Sequence, residues 1–177
     1  MTKILLLSAW IVSISFCVVW AESKENASDL IELIQKARIE KALALLKAGA
    51  EVNARNEDSE TALMWACAGS NLELVQTLAE AGANLHARDN RGKNALLWAV
   101  EKGQLPAVRF LLEAGIDVNT TDVNGQSALM WASQEGHADV AKALIEAGAD
   151  ANAVDKAGWT ALPVSYTHLT LPTILRV

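Results

Sequence analysis

The segments TALMWA at 61–66, NALLWA at 94–99 and SALMWA at 127–132 repeat one phrase at a step of 33 residues. Thr61, Asn94, Ser127 and Thr160 share a phase, as do Leu63, Leu96, Leu129 and Leu162. The same step carries Trp65 to Trp98 and Trp131, and Ala66 to Ala99 and Ala132. It also links Leu45, Leu78, Leu111 and Leu144, and Gly49, Gly82, Gly115 and Gly148. Asp89, Asp122 and Asp155 are each followed three residues later by Gly92, Gly125 and Gly158. A period of this length marks supersecondary units that are too small to bury their own apolar faces. Such units stack, and each covers its neighbour.

Each unit has a local reading. Residues 61–68, 94–101 and 127–134 are rich in Ala and Leu and predict a short helix. Gly103 and Gly136 then break the chain, as Gly does just past a helix end, and Ser70 stands at that place in the first full unit. A second helix is predicted over 72–81, 105–114 and 138–147. Pro106 suits its first turn, where a missing N–H costs nothing. Leu105, Val108, Leu111 and Leu112 mark one helical face. Ala-Gly ends this helix, and stretches such as AEVNARN and IDVNTTD are extended. DNRG, DVNG and DKAG then form turns, because Asp bonds nearby backbone and Gly tolerates positive φ. The Asp residues therefore read as turn formers before they read as acids.

A helix, turn, helix and projecting β-turn in 33 residues resembles the ankyrin repeat. The residues that carry the resemblance are TALMWA, NALLWA and SALMWA, then GHADV at 136–140, and AGAEVNARN, AGANLHARD, AGIDVNTTD and AGADANAVD. Ala62, Ala95 and Ala128 replace the usual Pro of the family, and Met64, Leu97 and Met130 replace its usual His. The second change exchanges a polar contact between repeats for an apolar one. The resemblance covers about 28–162 and implies an all-α ankyrin-repeat solenoid. Residues 28–60 are in phase but altered: Glu32 stands in the Trp column, and Lys36, Arg38 and Lys41 surround the turn. A terminal repeat needs a polar outer face, so this unit is expected to be the N-terminal cap. Repeats at 61–93, 94–126 and 127–159 follow, and 160–162 begin a further unit.

The segment before the repeats reads as an export signal over residues 1–21. Lys3 precedes an apolar run from Ile4 to Trp20, and Val19-Trp20-Ala21 is a small-x-small cleavage site. Cleavage after Ala21 would leave a polar lead at 22–27 and a periplasmic protein. The alternative is a retained inner-membrane anchor; as a helix the run spans about 25 Å, slightly short of a bilayer core. After the repeats, VSYTHLTLPT resembles the in-frame translation of a sequencing adapter. That implies that 163–177 is artefact and that the natural chain continues the repeat.

No chemistry of catalysis is legible. No His or Cys pair has metal-ligand spacing, and no nucleophile elbow, phosphate loop or dinucleotide fingerprint occurs. No cofactor is expected. A net charge of −6 without a basic cluster argues against nucleic acid. Cys67 follows Ala66 in an apolar helix and reads as a buried small residue. His86 falls in the column of Asn53, Asn119 and Asn152, a structural position beside the turn, and His137 follows a helix-breaking Gly.

The resemblance implies a protein partner, held on a concave side made of turn tips and first helices. Carried over by position, the tips are Arg88, Asn90, Arg91 and Lys93, then Thr121, Val123, Asn124 and Gln126, then Lys156 and Trp159. They differ between units while the framework repeats. Trp65, Trp98 and Trp131 are expected to form a ladder along the first helices. They either anchor a partner or brace the stack, and the large area a Trp buries favours bracing. The expected function is a non-enzymatic exported scaffold. Its alternatives are the docking part of a larger protein with a catalytic domain elsewhere, and a membrane-tethered adaptor. Charge reversal at Arg91 and Lys93 together is expected to weaken binding without unfolding the chain.

Overall fold

The computed structural model describes residues 30–161. The signal segment, the polar lead and the tail read from the sequence lie outside the described residues. Eight helices are present among the described residues: α1 at 30–35, α2 at Ile39–Lys47, α3 at Ala62–Ala68, α4 at Leu72–Glu80, α5 at Ala95–Glu101, α6 at Leu105–Glu113, α7 at Ala128–Gln134 and α8 at Ala138–Glu146. They pair as helix hairpins, α1–α2 to α7–α8. The boundaries expected from the sequence hold to within a residue or so.

The first column of the repeat now has a cause. Thr61 Oγ1, Asn94 Oδ1 and Ser127 Oγ accept the backbone N–H of Met64, Leu97 and Met130. Each caps a helix start whose N–H groups have no partner within the helix. At the far end of the second helices, Gly82 (φ +87) lets the Ala83 N–H reach back to Leu78 O at 2.9 Å. This is the closing bond of a Schellman turn, and the Gly column repeats it.

Ser70 does not take the role expected for it. α3 stops at Ala68 and leaves through Gly69 with extended backbone (φ −84, ψ 168), so Ser70 does not adopt positive φ. A left-handed conformation costs a residue with a Cβ, and here the chain leaves the helix in extended backbone at position 69, so none is needed. At the same register in the first unit, Ala37 does take positive φ (+53).

One continuous core runs through the stack. Leu63, Leu96, Leu129, Leu78, Leu111 and Leu144 are all buried, with the Ala column Ala66, Ala99 and Ala132 between them. Met64, Leu97 and Met130 are buried too, so the apolar replacements fill space between units. On α1, Leu30, Ile31 and Ile34 face this core, while Glu32 and Lys36 pair on the exposed side.

Cys67 is fully buried, and burial alone drives its thiol pKa far upward. A thiolate is the reactive form, so in native protein lacking residues 1–21, which carry the other cysteine, Cys17, Cys67 should not react with a thiol-specific disulfide reagent. The thiol should titrate one-for-one on unfolding in urea. A fast native reaction would place Cys67 at the surface.

Candidate protein-binding face: fingers and first helices

Between successive hairpins the chain extends outward in a finger closed by a tight turn. Gly92, Gly125 and Gly158 N–H groups donate to Asp89, Asp122 and Asp155 O at 2.9, 3.1 and 3.0 Å. Each Asp carboxylate oxygen Oδ1 also accepts two N–H groups of its own finger: Arg91 and Lys93, Asn124 and Gln126, or Ala157 and Trp159. The Asp column is thus a turn former. In the first finger Asn56 Oδ1 does the same for Asp58 and Glu60, and Ser59 takes the positive φ (+61).

The fingers are joined tip to tip. Asn90 N–H donates to Asp58 O at 3.0 Å, Val123 N–H to Arg91 O at 3.0 Å, and Lys156 N–H to Asn124 O at 2.9 Å. Gly92 is required here twice: its φ is +75, and a Cβ would lie 2.9 Å from Val123 N. Nearer the helices, Asn53 bridges to the next unit through Gly82 O and Asn84 N–H, and Asn119 Oδ1 accepts Asp150 N–H. His86, at the same register, makes no such side-chain bond among the described residues. His137 does cross between units, with Nε2 3.1 Å from Glu101 O and its ring against Gly103. First helices of neighbouring units pack more closely than second helices do. The row of first helices is therefore the more tightly packed side of the stack.

The Trp column runs along these first helices, in three different settings. Trp65 is half-buried and its Nε1 donates to Glu60 Oε2 at 3.0 Å. Trp98 is buried and its Nε1 donates to Asp89 Oδ2 at 3.0 Å. The two rings lie 5.2 Å apart, tilted by 54°. The expected ladder ends there. Trp131 is half-buried, its face is covered by the Lys93 ammonium 3.3 Å from the ring centroid, and its buried Nε1 has no partner among the described residues.

Lys93 is therefore a correction. It is 2% exposed, with Nζ 2.7 Å from Glu101 Oε2 and over the Trp131 face. It is no tip residue, and reversing its charge cannot leave the fold untouched. Its register explains why: Glu60, Lys93 and Gln126 sit at the finger base, against the first helix, and are buried or partly buried. Only Trp159 of that column is open, at 64% exposure. Arg88 is also committed within the chain. Its guanidinium donates to Gly92 O, Thr121 O and Thr120 Oγ1, and so ties one finger to the next. Thr121 is half-buried.

The residues left open are fewer than the register suggested. Arg91 keeps a half-exposed guanidinium, 5.3 Å from the Trp98 centroid, 3.5 Å from Asp89 Oδ2 and 4.0 Å from Glu60 Oε1. Asn90 is exposed, with Nδ2 on Glu57 O. Val123 and Asn124 project from the third finger, and Lys156 is exposed although its Nζ donates to Val123 O. A cleft of about 310 Å³ opens between the first two fingers, lined by Asp58, Glu60, Asp89, Asn90 and Arg91. Glu60 and Glu101, which orient Trp65 and Lys93, carried no repeating signal in the sequence. Among the described residues no group of three metal-ligating side chains occurs, and no helix is long and apolar enough to cross a membrane.

A family model of ankyrin repeats in three copies matches residues 30–122, and one of ankyrin repeats in many copies matches 111–163. The chain belongs to the ankyrin-repeat family. Proteins of this family are generally modules for protein–protein interaction. No curated protein matches the chain.

Proposed function

We propose that this chain is a non-enzymatic scaffold, exported to the periplasm, that holds a protein partner against its fingers and first helices. One observation carries the reading. The fingers repeat a hydrogen-bonded backbone at constant step, yet their open side chains change from Asn90 and Arg91 to Val123 and Asn124 to Lys156 and Ala157, with Trp159 open at the base of the last. A fixed frame with varied exposed chemistry is what recognition needs, because the frame pre-organises the contacts. The export reading rests on the sequence of residues 1–21.

A photo-crosslinking residue placed at Arg91 or Asn124 in cells should capture a discrete protein. The same residue at Arg109 or Lys142, exposed on the second helices, should not. Arg91→Glu should weaken the captured complex with little change in stability, since an exposed ion pair contributes only about 0–1 kcal/mol. Capture from the second-helix positions alone would assign binding to the opposite face. Amino-terminal sequencing of material from the periplasmic fraction should start at Glu22; full-length chain in the membrane fraction would replace export by tethering.

A further inference from the structure

We infer that Asn124–Gly125 is a self-modifying site, at which the third finger loses ammonia and becomes aspartate or isoaspartate at a rate set by opening of that finger. The turn glycine is imposed by the fold, since Gly125 has a φ of +80 and a Cβ there would lie 3.3 Å from Lys156 N. What varies is the residue before it: Arg91, Asn124 or Ala157, with Asp58 before Ser59. The third finger alone places an asparagine amide next to a glycine nitrogen, and this is the single Asn-Gly pair in the chain.

Glycine has no side chain to hinder attack by its own nitrogen. Once the Gly125 N–H gives its proton to solvent base, the nitrogen can add to Asn124 Cγ. A C–N bond forms, the Cγ–Nδ2 bond breaks, and ammonia leaves with a proton from water. Water then opens the five-membered imide at either carbonyl, giving aspartate or an isoaspartate whose backbone runs through the side chain. The sum is amide plus water to acid plus ammonia, without any redox change.

Two sets of observations decide the rate. Asn124 is exposed, and its side chain makes no hydrogen bond among the described residues, so Cγ is free to turn. Asn90, by contrast, is held on Glu57 O, and Asn119 Oδ1 holds Asp150 N–H. Against this, the attacking nitrogen is occupied: Gly125 N–H donates to Asp122 O at 3.1 Å. Asp122 Oδ1 grips Asn124 and Gln126 N–H at 2.8 and 3.0 Å, and Asn124 O holds Lys156 N–H at 2.9 Å. Ring closure must therefore wait for the finger to open, and local openings cost far less than global unfolding. Isoaspartate adds a backbone carbon inside the Asp122 grip, so that grip and the rung to Lys156 are lost. Either product adds a negative charge at the tip. The inference holds whether or not the fingers bind a partner.

The test is peptide mapping of the full chain aged at pH 8 and 37 °C, with isoaspartate read by enzymatic methylation. Asn124 should gain one dalton at least about tenfold faster than Asn90 or Asn119, and faster still in urea, where no opening step remains. Asp122→Ala, which frees the turn, should fall between native and urea rates, and Asn124→Gln should abolish the isoaspartate signal. If native Asn124 converts no faster than Asn90 and Asn119, the site is wrong. Equal rates in native buffer and urea, or no change in Asp122→Ala, would overturn the gating.

Discussion

Chain carrying Lys93→Glu should be about 3–5 kcal/mol less stable than the parent in urea unfolding, the cost of leaving a buried charge without its partner. A typical domain holds only about 5–15 kcal/mol, so a parent at the low end of that range would become largely unfolded. The new carboxylate would stand beside Glu101 and below the Trp131 face, where the ammonium now makes an ion pair at 2.7 Å and a cation–π contact. A desolvated cation–π pair contributes about 2 kcal/mol by itself. Lys93→Met keeps the stem and drops the charge, and should cost less than the reversal. Lys93→Glu within about 1 kcal/mol of parent, the range of an exposed pair, would contradict this burial.

The same pair gives the stability a pH dependence of known sign. Burial raises the Glu101 pKa, but the hydrogen bonds and charges of Lys93 and Lys102 outweigh it, and the net shift is downward from 4.5. A carboxyl with a lower pKa in the folded state contributes stability above its unfolded pKa and loses it as pH falls through the folded value. The stability gap between parent and Lys93→Met should be widest near neutral pH and shrink as pH falls below 4.5. A gap unchanged in acid would mean that Glu101 does not partner Lys93.

Leu111→Ala should cost about 2–5 kcal/mol, the range for truncating a fully buried Leu. Leu111 has no exposed surface and lies on the face of α6 that also carries Ala107 and Val108. α6 packs on α5 within its unit and on α4 and α8 to either side. In a stack, stability is a sum over units and their contacts, so a cavity here weakens two interfaces together. A lower urea midpoint at unchanged slope is expected. A loss below about 1 kcal/mol, usual for surface changes, would put the Leu column outside the core.

The 33-residue step by itself determined the unit, its two helices, its turn and the burial of the Leu and Ala columns. These are properties of local backbone and of a face repeated identically against each neighbour, and a periodic sequence states them once per unit. The Asp-x-x-Gly turns were legible for the same reason, because the bonds of Asp122 to Asn124 and Gln126 stay inside five residues. Register also located the fingers, but it made Arg88, Arg91 and Lys93 look alike. Only the tertiary structure decided that Arg91 stays open, that Arg88 ties two fingers and that Lys93 is buried on Trp131. The reason is length: the side chains of Arg88 and Lys93 end several ångströms from their own backbone, beyond their own unit. Their partners there, Thr121, Glu101 and Trp131, are set by packing across units and not by position along the chain.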